Sequence, residues 1–183
     1  MKLTVLGPGC WGLTLAWLLN DNFEDIVVWG RESDLNEDLV VNKHCSKPLE
    51  VQLDKKVEFT SDLKKAIEGA DIILSVVATS GVRSVCEQLK QVGIKPEQPL
   101  VNASKGLELN TLMRMSEVIK DVLPEQKVVI LSGPTLAKEV LQGKPTAASV
   151  ACEDMEVAEF VQKACNVPNR FRLYTNSDVI GVE

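Results

Sequence analysis

The chain has 183 residues and a formal net charge of −6, enough length for one well-buried domain and too acidic, without any Lys/Arg cluster, for a nucleic-acid-binding surface. An anionic ligand therefore has to be held by helix N-termini and single cations. No apolar run approaches the roughly 20 residues of a membrane span, and the first residues read as a strand rather than a secretory signal.

The first predicted element is "KLTVL" (2–6), a continuous apolar run. It leads through "GPGCWG" into "CWGLTLAWLLN" (10–20), a helix apolar nearly all round and hence buried on more than one side. "DIVVW" (25–29) is the second strand, followed by Gly30, Arg31 and Glu32. The polar stretch "NKHCSKPLEVQLDKK" (42–56), with one proline, is expected to run irregularly over the surface. It holds His44, the single histidine, which reads as a surface residue with nothing to place it at a catalytic edge.

"SDLKKAIEGAD" (61–71) has helical spacing at Leu63, Ala66 and Ile67, with Ser61 or Asp62 as the cap and Gly69 as the stop. Strand "DIILSVV" (71–77) follows, then a helix in "TSGVRSVCEQLKQVG" (79–93) that buries Val82, Val85, Cys86 and Leu89 and ends at Gly93. "PLVN" (99–102) is a strand; "MRMSEVIKDVLP" (113–124) is a helix on Met115, Val118, Ile119, Val122 and Leu123. Strands "KVVILS" (127–132) and "AASVAC" (147–152) precede a helix in "DMEVAEFVQKAC" (154–165), capped by Asp154, with Val157, Phe160, Val161 and Ala164 inward.

Strands that lack in/out alternation are buried on both faces, and their alternation with amphipathic helices implies βαβ crossovers. The fold class is α/β, a Rossmann-like, doubly wound and mainly parallel sheet. Cys10, Cys45, Cys86, Cys152 and Cys165 are odd in number, widely spaced and without a C-x-x-C pair. That pattern fits free thiols of a reducing, cytoplasmic compartment and offers no disulfide framework and no metal site.

The glycine loop follows the first strand and opens a helix, the context in which G-x-G-x-x-G becomes a dinucleotide fingerprint. Gly7 permits the tight turn, Gly9 the approach of a pyrophosphate, and Gly12 close packing of helix on strand. The helix start supplies free N–H groups for the phosphates. Arg31 at the end of the second strand suits a 2′-phosphate or stacking on adenine, so NADPH is expected to be accepted.

Three later motifs, "VNASKGLE" (101–108), "LSGPTLAKEV" (131–140) and "FRLYTNSDVIGVE" (171–183), join "GPGCWG" and "VVWGR" in the same order as in one family. With them the chain resembles the bacterial-type NAD(P)-dependent glycerol-3-phosphate dehydrogenases along essentially its whole length. The resemblance implies reduction of dihydroxyacetone phosphate to sn-glycerol 3-phosphate, a phospholipid precursor, with NADPH or NADH. It also implies that Gly7, Gly9, Cys10, Trp11, Gly12, Arg31, Lys105 and Ala137 serve the cofactor, and that Lys105, Gly133 and Thr135 serve the substrate. Lys105 follows a strand at its carboxyl edge, where a cation holds a phosphate or polarises a carbonyl.

Cys10 stands where the family often has serine, Ala78 where it often has proline, and Thr135 replaces a common serine but keeps the hydroxyl. The resemblance puts the general-acid lysine in a C-terminal helical domain beyond Glu183, so residues 1–183 are expected to be the coenzyme domain, ending at the domain junction and turning over little alone. It further implies a homodimer for the intact enzyme, and exposed apolar residues at the junction are expected to drive association. The competing readings are a non-catalytic NAD(P)H-binding or sensing module and a related dehydrogenase acting on another small hydroxy or sugar acid.

Overall fold

The computed structural model describes residues 1–183. In chain order the elements are β1 (Lys2–Leu6), α1 (Cys10–Leu18), β2 (Asp25–Trp29), α2 (Glu37–Val41), β3 (His44–Cys45), β4 (Val51–Gln52) and β5 (Val57–Thr60). They continue with α3 (Leu63–Ile67), β6 (Ile72–Ser75), α4 (Thr79–Val92), β7 (Leu100–Asn102), α5 (Met115–Val122) and β8 (Val128–Ser132). The last are α6 (Ala137–Leu141), β9 (Thr146–Ala151), α7 (Met155–Cys165), β10 (Phe171–Asn176) and α8 (Val179–Val182).

Local signals set the helix limits. The Asp62 carboxylate accepts from the Lys65 N–H and Asp154 from those of Glu156 and Val157, while Gly93 closes α4 at φ +81°. The buried face of α4 is Val82, Val85, Cys86 and Leu89, as its spacing predicts. On α7 the expectation needs correcting. Val157 and Val161 are buried, but Phe160 is 40% exposed and Ala158 and Cys165 take the inward places.

Eight strands form one sheet in the order β10-β9-β8-β7-β6-β1-β2-β5. All neighbours are parallel except β8 and β9, so β9 and β10 run together against the rest. The unalternated runs are explained by the two layers. Leu3, Val5, Ile26, Val28, Ile72 and Leu74 pack on one face with α1 and α7, while Leu6, Val27, Trp29 and Ile73 pack on the other with α3, α4 and α5.

The two strands without an apolar run, β5 ("VEFT") and β10 ("FRLYTN"), are the edges of the sheet. Each shows the half-buried alternation of an edge: Phe171 and Leu173 are buried, Arg172 and Tyr174 exposed. The stretch 42–56 also departs from the irregular path expected of it. It contains the antiparallel pair β3–β4, and Val51 and Leu53 are buried in the same layer as α1, with Gln52 pointing out. Two apolar side chains two residues apart suffice to seat it, and the surrounding lysines mask them in the sequence.

From β1 the chain moves outward to β2 and β5, then returns to place β6 on the opposite flank of β1. The loops leaving β1 and β6 therefore diverge, which opens a crevice at the carboxyl edge. Gly7 turns there at φ +111°, and a Cβ at Gly12 would lie 2.0 Å from the Gly7 carbonyl oxygen. That contact dictates a test. Gly12→Ala should lower unfolding stability by about 1–3 kcal/mol through overpacking, read from urea midpoints. Gly9→Ala should stay within about 0.5 kcal/mol, as for substitutions away from packed features, because a Cβ at Gly9 meets nothing within 4 Å.

Candidate functional site

The crevice is a cleft of about 550 Å³ walled by Gly7, Pro8 and Gly9 after β1, by Gly30, Arg31 and Asp34 after β2, and by Val76, Val77 and the first turns of α4 after β6. Its floor continues the sheet ladder, since the Gly7 N–H donates to the Trp29 carbonyl at 2.9 Å and the Val76 N–H to the Leu6 carbonyl at 2.9 Å. No side chain caps α1 and no acidic residue sits in its first turn. The N–H groups of Cys10, Trp11 and Gly12 have no partner within the protein. Unfilled donors at the positive end of a helix, beside a glycine with open space, fit a pyrophosphate.

The sequence-predicted cofactor residues are placed as follows. Gly7, Gly9 and Arg31 line the cleft, and Gly12 lies beneath the Gly7 carbonyl. The cleft walls do not include the side chains of Cys10 or Trp11. The Trp11 indole meets the Phe171 ring edge-on at 6.5 Å, because a large apolar ring gains more from the core than from an open cleft. Cys10 is half-buried, and that burial pushes its thiol pKa up, which disfavours the thiolate and leaves the S–H as a weak donor. What both residues leave unpartnered is the backbone N–H, at the helix start that follows the cleft-lining Gly7–Gly9 loop. Trp29 is the tryptophan on the cleft wall. Ala137 opens α6, which packs against α1.

The substrate residues implied by resemblance come together. Lys105 Nζ donates to the Gly133 carbonyl at 2.6 Å and lies 3.4 Å from Thr135 Oγ1, joining the loop after β7 to the loop after β8. Gly133 earns its place by packing too, since a Cβ there would meet Ala148 Cα at 2.9 Å. The Lys105 loop abuts the cleft: Ser104 Oγ donates to the Val77 carbonyl at 2.6 Å, and a Cβ at Gly106 would touch Thr79 of α4 at 3.4 Å. His44 lies in β3, outside the residues that line the cleft, with Nδ1 2.9 Å from Asp38 Oδ2.

Two features escape a reading of the sequence. Asp34 forks Arg31, signalled only by the i,i+3 acid–base spacing in "RESD". Arg83 of α4 binds Glu108 through Nε at 2.8 Å and Nη2 at 2.9 Å and reaches Asp121 through Nη1. Thr111 Oγ1 donates to the same Glu108 carboxylate. The segment carrying Lys105 is thereby fastened to α4 and α5.

Residues 2–158 match the family described as NAD-dependent glycerol-3-phosphate dehydrogenase N-terminus. Over the whole chain the sequence is 42% identical to a glycerol-3-phosphate dehydrogenase [NAD(P)+] of Bacillus pumilus, covering 53% of that protein. It is likewise 42% identical to one of Thermoanaerobacter, covering 54%. The crystal structure of glycerol-3-phosphate dehydrogenase from Coxiella burnetii superposes over the whole chain and 55% of its own length, with a TM-score of 0.89 and 29% identity. The chain thus spans about half the length of the curated relatives it matches.

The Arg83–Glu108 fork makes a pH prediction. Its first cause, the Arg83 hydrogen bonds, lowers the Glu108 pKa to about 2. A depressed carboxylate adds stability that is full above its unfolded pKa, near 4.3, and fades as the pH falls toward 2. The urea midpoint of the wild type should therefore fall more steeply between pH 5 and pH 2 than that of Glu108→Gln. Parallel curves would show that the fork adds nothing.

Proposed function

The chain belongs to the NAD-dependent glycerol-3-phosphate dehydrogenase N-terminal family, and on that premise we propose how its residues serve the reaction. The chain is the coenzyme-binding part of an enzyme that reduces dihydroxyacetone phosphate to sn-glycerol 3-phosphate with NADH or NADPH. The supporting observation is the uncapped start of α1 at the switch between β1 and β6, next to the convergence of Lys105, Gly133 and Thr135.

In this reading the N–H groups of Cys10, Trp11 and Gly12 take the pyrophosphate, and Arg31 stands at the adenosine end. Bound reduced nicotinamide supplies hydride to the substrate carbonyl carbon. Lys105 turns its ammonium from the Gly133 carbonyl to the substrate, holding the phosphate or drawing charge from the carbonyl oxygen. The Thr135 hydroxyl donates to the same ligand. Proton delivery belongs, by resemblance, to a lysine in the portion of the relatives that this chain does not span. The proposal includes a cytoplasmic location and a homodimeric whole enzyme.

The first test is a titration with NADH and NADPH followed by tryptophan quenching, with Trp29 as the reporter on the cleft wall. Saturable binding is expected, weakened at least about tenfold, roughly 1.4 kcal/mol, by Gly9→Val. Absence of binding to the folded chain would remove the reading. Lys105→Met should weaken glycerol 3-phosphate binding to the loaded chain more than it weakens coenzyme binding; unchanged binding of that phosphate would favour a non-catalytic coenzyme module. Light scattering offers a separate check. Leu107, Leu109, Leu112 and Leu136, on the loops flanking Lys105, are 49%, 78%, 72% and 62% exposed, and this apolar rim should make the chain self-associate at high concentration. Leu109→Asp with Leu112→Asp should shift the population back to monomer.

A further inference from the structure

Beyond β2 the chain carries a cation and, three residues later, a counter-ion folded back onto it. Arg31 Nε donates to Asp34 Oδ2 at 2.8 Å and Nη2 to Oδ1 at 2.9 Å, and the Arg31 backbone N–H also donates to Oδ2 at 3.2 Å. Arg31 and Asp34 are the only charged side chains lining the cleft, so this wall has no net charge. The fork occupies the Nε/Nη2 edge of the guanidinium, one of the two edges that grip a phosphate at two points. The end of the second strand is where such sheets receive the adenosine ribose.

The two coenzymes differ there by one group. A 2′-phosphate brings close to two negative charges, whereas the 2′-hydroxyl of NADH is neutral and donates readily to a carboxylate. A phosphate at this wall must draw Arg31 off its partner and sit beside the Asp34 carboxylate. A hydroxyl needs neither change. An acidic residue at this end of a second strand usually hydrogen-bonds the ribose directly; here Gly30 and Arg31 hold those positions, and the carboxylate reaches the wall from the following turn.

Resting on the coenzyme reading above, we propose that Asp34 sets the choice between NADH and NADPH: by neutralising Arg31 it withholds the only cation that a 2′-phosphate could use in the cleft, and it offers an acceptor to the 2′-hydroxyl. Arg31 alone, as read from the sequence, admits NADPH without setting a preference. With its partner in place the wall favours NADH.

The experiment is a pair of binding titrations, NADH and NADPH, on the wild type, Asp34→Asn, Asp34→Ser and the double variant Asp34→Asn with Arg31→Ala. The wild type should bind NADH at least as tightly as NADPH. Asp34→Asn keeps an acceptor for the Arg31 N–H and loses the charge. It should tighten NADPH about tenfold, roughly 1.4 kcal/mol, and leave NADH within about threefold, and the gain should shrink at high salt. Adding Arg31→Ala should abolish the gain, and Asp34→Ser should reproduce it if the fork, rather than the turn, is responsible. An unchanged NADH-to-NADPH ratio in both Asp34 variants, with both coenzymes still bound, overturns the proposal and leaves the coenzyme reading intact. Failure of both coenzymes to bind the folded wild type overturns the two together.

Discussion

The close passage of α1 over the Gly7 carbonyl is the contact on which the rest of the structure depends. With hydrogen at Gly12, the first turn of the helix lies against the end of β1, and a methyl group there would overlap the carbonyl oxygen. This approach aims the helix start, with its unpartnered N–H groups, along the floor of the crevice. It also fixes the depth of α1 on its sheet face, where Leu13, Leu15 and Ala16 join Leu3 and Val5 in one packed layer. Close packing and an open set of N–H donors are here two results of one geometry.

A chain of net charge −6 can offer positive charge to a ligand only locally. Three cations at the carboxyl edge of the sheet do so in different states of engagement. Arg83 is committed to Glu108 and Asp121 and acts as a structural tie. Lys105 rests on neutral acceptors, the Gly133 carbonyl and the Thr135 hydroxyl, which compete weakly with an incoming phosphate. Arg31 lies between these cases, held by a carboxylate but largely exposed, so that its pairing is adjustable by a ligand. The partner of each cation, more than the cation itself, divides their roles.

Much of this was legible in the chain. The central strands announced themselves as unalternated Val/Ile runs because they are covered on both faces, and the helices between them by a single apolar stripe. The edge strands β5 and β10 did not, because a strand covered on one face spells a short alternation that polar residues dilute. Val51 and Leu53 were hidden for a similar reason among the lysines of 42–56. Trp11 shows what a motif leaves open: its position in the fingerprint says nothing of where the ring goes, and the ring packs edge-on against Phe171 while the backbone N–H stays unpartnered at the helix start.

By itself the sequence determined the α/β class, the glycine cradle and the motifs that bring Lys105, Gly133 and Thr135 under suspicion, since these depend on local periodicity and on backbone freedom at single residues. Only the tertiary structure decided which strands stand at the edges, where β6 returns beside β1 to open the cleft, and which carboxylate each cation meets. Glu108 lies 25 residues from Arg83 and Lys105 lies 28 from Gly133. Contacts between residues so far apart are set by sheet order and crossover, which no local pattern encodes.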